Sequence, residues 1–265
     1  MRIELGLSGL DAWTRLEPCP TLHNSNQIAD KQMLIELGLS IPVAAGLVLG
    51  YGARGRSSQL FGPSFWRGPR NRKQIALTFD DGPSEFTPQV LEVLDTFGIR
   101  ATFFQCGKNI ERLSGVSRQV REAGHEIGNH TYSHPRLISC SPSRIRREIG
   151  ETQRAIAGAT GVEARLFRAP YGLRWFGLRA ALREYGLTGV MWTVIGYDWE
   201  WGAEEIARLV LTHASPGGII CLHDGDRTSS KVDRRETVQA LRYFIPRLYD
   251  QGYSFVAAGE FCLLT

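Results

Sequence analysis

The sequence is poor in the devices that usually hold small or nucleotide-dependent proteins together. Its 265 residues include only five cysteines, Cys19, Cys106, Cys140, Cys221 and Cys262, an odd set with no CxxC spacing. That argues against a disulfide framework and a zinc–thiolate cluster, and Cys106 and Cys221, both in apolar runs, read as buried free thiols acting as small hydrophobes. No GxxxxGK[ST] loop occurs, and the first strand candidate ends in DDG rather than GxGxxG, so the usual nucleotide-binding loops are missing. There is no nucleic-acid motif and no internal repeat. The formal charge of +4, with a pI near 8.9, is too small to demand a nucleic-acid partner and suits anionic envelope polymers or phospholipid surfaces. An apolar content of 43% excludes a disordered chain, and the length allows one large α/β domain while leaving a second cramped.

Long apolar runs are also scarce, with one exception. From Met33 the stretch MLIELGLSIPVAAGLVLGYGA is apolar apart from Glu36, at the short end of what spans a bilayer. Residues 33–53 are therefore read as a membrane-anchor or signal-like segment, with a greasy helix packed on the domain as the alternative. This implies a cell-envelope location, anchored or exported. Arg54, Arg56, Arg67, Arg70, Arg72 and Lys73 follow the run while Arg2, Arg15 and Lys31 precede it, which favours the cytoplasmic face of a membrane instead. Residues 1–32 lack periodicity and are expected to be poorly ordered, with Met33 as an alternative start. Residues 54–73, rich in Arg, Gly, Pro and Ser, read as a basic linker.

From Gln74 the pattern changes to short apolar runs alternating with amphipathic helices, so the catalytic domain is expected over 74–265. The strand candidates are 75–79, 101–105, 126–129, 165–168, 189–195, 218–223 and 253–257. Between them Val90, Leu91, Leu94 and Phe97 give one helix its inner face, Ile145, Ile149 and Ile156 another, Leu178, Leu182 and Tyr185 a third, and Val238, Leu241, Ile245, Leu248 and Tyr249 the last. Strands joined by helical crossovers favour a parallel sheet, and about seven β/α units around one core suggest a closed or nearly closed barrel, with a doubly wound open sheet as the alternative.

Polar residues recur where these strands end. Asp80 and Asp81 follow the first strand directly, and Gly82 and Pro83 force a turn. Neighbouring carboxylates repel, so a cation or an arginine should offset them, and one can bind metal while the other accepts a proton; an Asx-capped turn is the plainer reading. HTYSH places His130 and His134 four residues apart, and on a helix both imidazoles would share one face as ligands for a borderline metal. His125 reads as a capping or packing residue, and His23 and His213 have no companions. RAPYG brings Arg168, Pro170, Tyr171 and Gly172, YDW brings Asp198 and Trp199, and LHDG brings His223. Each is weak alone, since such residues are commonly surface ion pairs or core. In a β/α barrel, however, all these strand ends converge on the rim where active sites are built.

TFDDGP, HTYSH, RAPYG, the DW pair and LHD, in this order, resemble the polysaccharide deacetylase family, the NodB-like carbohydrate esterases, over roughly residues 74–258. The resemblance implies a distorted (β/α)7-type barrel, α/β in class, with a divalent metal, most often Zn2+, with Co2+, Ni2+ or Mn2+ as alternatives. It further implies that Asp81, His130 and His134 ligate the ion, that Asp80 is the general base oriented by Arg168, and that His223 is the general acid supported by Asp198. Tyr171, with Pro170 before it, would present a backbone N–H to the oxyanion, and Trp199 would line the acetyl pocket. One position departs from the pattern: Ile195 stands where the family often has an acid. The expected substrate is an N-acetylated amino sugar in a glycan of peptidoglycan or chitin type. O-deacetylation of xylan, deacylation or deformylation of a lipid-linked aminosugar, and a non-catalytic glycan-binding barrel are the alternatives.

Overall fold

The structure is a computed structural model that describes residues 20–229 and 231–262. The chain divides into two compact units, Met1–Val48 and Leu49–Thr265. In the first, residues 20–32, expected to be irregular, are helical instead: one α-helix runs from Pro20 to Arg54 with Pro42 inside it. No glycine or proline lies between Thr21 and Leu37, so nothing there breaks the helix, although no apolar stripe announces it. The expectation for residues 1–19 lies outside the described residues. Among the described residues no helix is both long and apolar enough to cross a membrane. Ile41, Val43, Leu47 and Val48 are nevertheless exposed along this helix.

Among the described residues the second unit has nine strands: β1 (Ser64–Phe65), β2 (Gln74–Gly82), β3 (Thr102–Gln105), β4 (Glu126–Asn129), β5 (Leu166–Phe167), β6 (Thr188–Val190), β7 (Val194–Ile195), β8 (Gly218–His223) and β9 (Ser254–Val256). They pair in the order β1-β6-β5-β4-β3-β2-β8-β7, with β9 beside the start of β2, and every pairing is parallel. The run 189–195, expected as one strand, is broken in the middle. Its first part pairs with β1 and β5 and its second with β8, so Met191–Thr193 ties the two ends of the sheet together and curls it into a distorted barrel.

Strand alternation divides the core. Ile75, Leu77 and Phe79 of β2 join the large cluster under the helices, while Ala76 packs in a smaller one with Phe104, Leu166, Val190 and Ile219. By the same period Thr78 and Asp80 face the interior of the barrel. Most expected helix faces are buried, among them Val90, Leu94, Ile145, Ile149, Ile156, Leu178, Leu182, Val238, Leu241, Ile245 and Leu248. Tyr249 departs from its stripe: it is 40% exposed, and its hydroxyl donates to the Phe97 carbonyl at 3.0 Å. The longest of these helices, Pro142–Thr160, begins with the Ser141 hydroxyl accepting from the Arg144 N–H and stops at Gly161, whose φ of 73° is adopted at least cost by a residue without a β-carbon.

The basic stretch 54–73 is not a free linker, because β1 within it is part of the sheet. Its anchor is the buried Arg174, whose guanidinium donates to the carbonyls of Gly55 and Ser58 and to the Ser64 hydroxyl, while its N–H bonds the Ala53 carbonyl at 3.0 Å. Glycine and serine carbonyls have no helix or sheet partner here, and a buried arginine satisfies several at once. Arg174→Ala should cost about 2 kcal/mol, the loss of charge-assisted bonds to buried carbonyls, read as a lowered urea midpoint with an unchanged slope.

Candidate active site

β2 delivers both acids to the same place by breaking its own alternation. The pairing of β2 with β3 shifts register between Asp80 and Gly82, and Asp81 has a φ of 70°, a left-handed conformation that aspartate tolerates better than most residues. A regular strand would have sent the two carboxylates to opposite faces. Instead Asp80 Oδ2 and Asp81 Oδ1 lie 3.9 and 3.4 Å from the same His130 Nε2. The strand following Asp80 is clasped by the loop after β8, where the N–H groups of Asp224 and Gly225 both reach the Asp80 carbonyl.

His130 and His134 meet Asp81 on a loop, not on the helical face the i, i+4 spacing suggested. Residues 130–136 are irregular, with positive φ at Thr131 and His134, and neighbouring groups hold them so. Asn129 Oδ1 accepts from the Thr131 N–H, and the Glu148 carboxylate accepts from the Ser133 N–H and hydroxyl, each at 2.7 Å. These side-chain bonds outcompete helix formation over so short a polar segment. The ring of His130 is oriented from behind, its Nδ1 lying 2.8 Å from the Arg168 carbonyl. A carbonyl only accepts, so Nδ1 carries a proton and Nε2 presents its lone pair in the neutral ring.

His134 Nε2 stands 3.1 Å from Asp81 Oδ1, and one ligand atom from each of Asp81, His130 and His134 lies within 4.8 Å of the others. All three residues are buried, and Asp81 Oδ1 has no hydrogen-bond donor. Lone pairs facing a buried carboxylate oxygen require a proton or a cation among them. Burial opposes ionisation of Asp81, yet with a proton on those imidazole nitrogens their hydrogen bonds and charge outweigh it and hold the carboxyl well below the usual range. The donor set of one oxygen and two nitrogens fits a divalent ion of the zinc type with open positions.

Arg168 is fully buried inside the barrel. Its Nη1 donates to Asp80 Oδ1 and to Thr78 Oγ1 at 2.7 Å each, Nε reaches the Val190 carbonyl at 3.2 Å, and the guanidinium lies over the Phe104 ring at 4.1 Å. Ile195, where the family often has an acid, lines the groove. On β8, His223 Nδ1 pairs with Asp198 Oδ1 at 2.8 Å, and Asp198 Oδ2 accepts from the His223 N–H and the Thr237 hydroxyl. Burial lowers the basicity of His223, but the Asp198 charge and hydrogen bond, with Asp81 and Asp80 nearby, push it up to about 9. Trp199, half exposed, stands edge-on to the His223 ring at 5.0 Å, and Tyr171 packs edge-on against His134 at 4.7 Å. Pro170 and Tyr171 form a tight turn in which Tyr171 has a φ of 58°.

These residues share one open groove of about 850 Å³ at the carboxyl ends of the strands. Of the ten site residues singled out in sequence, Asp80, Asp81, His130, His134, Tyr171, Trp199 and His223 line it, Arg168 and Asp198 are buried behind it, and Pro170 is not part of the lining. Sequence reasoning passed over Arg54, Arg56, Tyr197, Cys221 and Lys231, which also line it. Cys221 was discoverable from the period of two that precedes His223; the others depend on chain folding far from the motifs. His125 is a packing residue as expected, buried, accepting from the Ala101 N–H and lowered to about 4 by burial.

Residues 67–190 match the polysaccharide deacetylase family model. A chitooligosaccharide deacetylase of Bradyrhizobium sp. is 38% identical over 68% of this chain and 87% of its own length. The chain belongs to the polysaccharide deacetylase family. Among solved structures, a peptidoglycan N-acetylglucosamine deacetylase named Bc1960 superposes with a TM-score of 0.70 at 33% identity, covering 75% of this chain and 92% of that one. A pseudoenzyme of carbohydrate esterase family 4 from Bacillus anthracis superposes with a TM-score of 0.69 at 28% identity, over 77% and 70%. The polysaccharide deacetylase fold thus accounts for the parallel, curled sheet, and the chain is a hydrolase of the deacetylase class.

The His223–Asp198 pair has a measurable consequence. A group whose basicity rises on folding stabilises the fold while it is protonated. That contribution is complete below the unfolded value near 6.5 and is lost as pH rises towards about 9. It amounts to roughly 3 kcal/mol. Urea unfolding from pH 6 to 10 should show this decline in the native chain and a much flatter profile in Asp198→Asn.

Proposed function

We propose that this deacetylase removes N-acetyl groups from N-acetylated amino sugars of an envelope glycan, with Asp80 as general base and His223 as general acid. The observation that carries the reading is a base and an acid facing each other beside a donor set. Ligand atoms of Asp80 and His223 lie within 4.8 Å, each side chain is held from behind by its own buried partner, and Asp81, His130 and His134 adjoin them.

A divalent ion held by Asp81, His130 and His134, with zinc preferred and cobalt, nickel or manganese as alternatives, would acidify water from about 15.7 towards 7 and polarise the acetyl oxygen. Arg168 occupies Asp80 Oδ1, which leaves Oδ2 to take the proton of the attacking water. The backbone N–H of Tyr171, following Pro170, would donate to the oxyanion, and Trp199 would pack against the acetyl methyl. The amine is a poor leaving group until protonated, and His223, kept in its charged form by Asp198, supplies that proton from Nε2.

The rim of the groove favours a substrate with negative charge near the acetylated sugar, as peptidoglycan has and a neutral chitin oligomer lacks. The rim acids Asp226 and Asp233 pair with Arg227 and Arg235, whereas Arg54, Arg56 and Lys231 have no carboxylate partner among the described residues. Attachment to a membrane surface through residues 33–53 belongs to the same proposal, supported by the exposed apolar side chains of that helix.

Asp80→Asn keeps the shape of the carboxylate and removes the base. It should retain one bound metal per chain and lose about 10²- to 10⁴-fold in rate, and an active variant would overturn the assignment of the base. Acetate release should be measured on peptidoglycan fragments, chitooligosaccharides and acetylxylan, and release of the matching carboxylate or formate on an acylated or formylated lipid-linked aminosugar. Release from peptidoglycan and, more slowly, chitooligosaccharides is expected; release from acetylxylan alone would make the chain an O-acetyl esterase, and no release from any of them would leave a glycan-binding barrel.

A further inference from the structure

The interior face of β8 carries a thiol that the proposed reaction does not use. Cys221 precedes His223 by two residues, so both side chains point into the barrel, and in the β2–β8 register they stand opposite Thr78 and Asp80. Cys221 Sγ lies 3.5 Å from Asp80 Oδ2, and one ligand atom from each of Asp80, Cys221 and His223 falls within 4.8 Å of the others, the same spread as in the Asp81, His130, His134 set. The atoms available are defined by what the opposite atoms already do. Asp80 Oδ1 is taken by Arg168 and His223 Nδ1 by Asp198, so Oδ2, Nε2 and Sγ are the three that converge.

We propose that Asp80, Cys221 and His223 form a second, inhibitory site for a soft divalent ion such as Zn2+, beside the Asp81, His130 and His134 set. A carboxylate oxygen, an imidazole nitrogen and a thiolate sulfur suit zinc or cobalt and not magnesium or calcium, which take oxygen donors. Buried partners behind the carboxylate and the imidazole are the usual means of orienting metal ligands. Binding forms one bond each to O, N and S and releases to water the thiol proton and the Nε2 proton of the charged imidazole, with no change of oxidation state. Repulsion from an ion already held a few ångströms away, together with this proton release, makes the site fill only after the first. The inhibitory half of the proposal rests on the assignment of Asp80 and His223 as base and acid, because the ion takes the lone pair of one and the proton of the other; the binding half does not.

The test uses the full chain loaded with one equivalent of Zn2+ and then titrated with Co2+. The first ligand set contains no sulfur, so a thiolate-to-cobalt charge-transfer absorption in the near ultraviolet reports the second site alone. The absorption is expected to grow with the second equivalent while acetate release from chitooligosaccharides falls at least tenfold. In Cys221→Ala and Cys221→Val the absorption should be absent, and activity at two equivalents should stay within about twofold of each variant's own activity at one. No absorption in the native chain overturns the site without recourse to any variant, as does an absorption that persists in both variants. An absorption that depends on Cys221 with no loss of activity overturns the inhibition. If Asp80→Asn proves active while the absorption still depends on Cys221, the catalytic assignment fails and the binding site stands.

Discussion

Two adjacent carboxylates, both buried, must face one cavity, and most of the architecture answers the cost of that arrangement. At a few ångströms their repulsion is worth about 4 kcal/mol at an intermediate effective dielectric, before any desolvation. Arg168 meets half of the demand from inside the barrel, on an aromatic floor and with its remaining donors satisfied by a hydroxyl and backbone carbonyls. The other half falls to His130 and His134, whose approach to Asp81 leaves a place for positive charge. In the proposed reading a buried cation serves one acid and an exchangeable one the other, which gives two chemically identical residues different roles.

The backbone makes that separation available. A shift of register at the end of β2 and a left-handed Asp81 bring consecutive side chains to one side, at a conformational cost of the order of 1 kcal/mol that the clasp by the loop after β8 offsets. The split of residues 188–195 into β6 and β7 serves the same centre. It gives the Val190 and Met191 carbonyls to Arg168 while β7 continues to the loop that carries Asp198. A continuous strand at that position would have satisfied those carbonyls in a ladder and left the guanidinium short of partners.

The family model matches residues 67–190, and the groove also draws on residues outside that stretch. Residues 52–58 precede it, are fastened through Arg174, and place Arg54 and Arg56 along the lining. Arg56 is itself held by the Thr193 carbonyl at 2.7 Å, at the junction between the two ends of the sheet.

Much of the site was legible because its chemistry is local: each motif sits directly after an apolar run, and strand and helix periodicity locate those runs without any knowledge of contacts. Asp80, Asp81, His130, His134, Arg168, Asp198 and His223 were singled out as candidates this way, their roles coming from the family resemblance, and the parallel α/β class was read from the same periodicity. The pairing of His130 with His134 was legible but its geometry was not, since side-chain bonds from Asn129 and Glu148, one of them distant in sequence, decide that the segment is a loop. The stretch 54–73 read as a linker because Arg174, which anchors Gly55, Ser58 and Ser64 within it, is more than a hundred residues away. Periodicity and composition, which are properties of neighbours along the chain, determined the class and the list of chemical groups. Which atoms of those groups meet was decided by the tertiary structure alone, because register, closure of the sheet and the desolvation of charge depend on residues that are near only after folding.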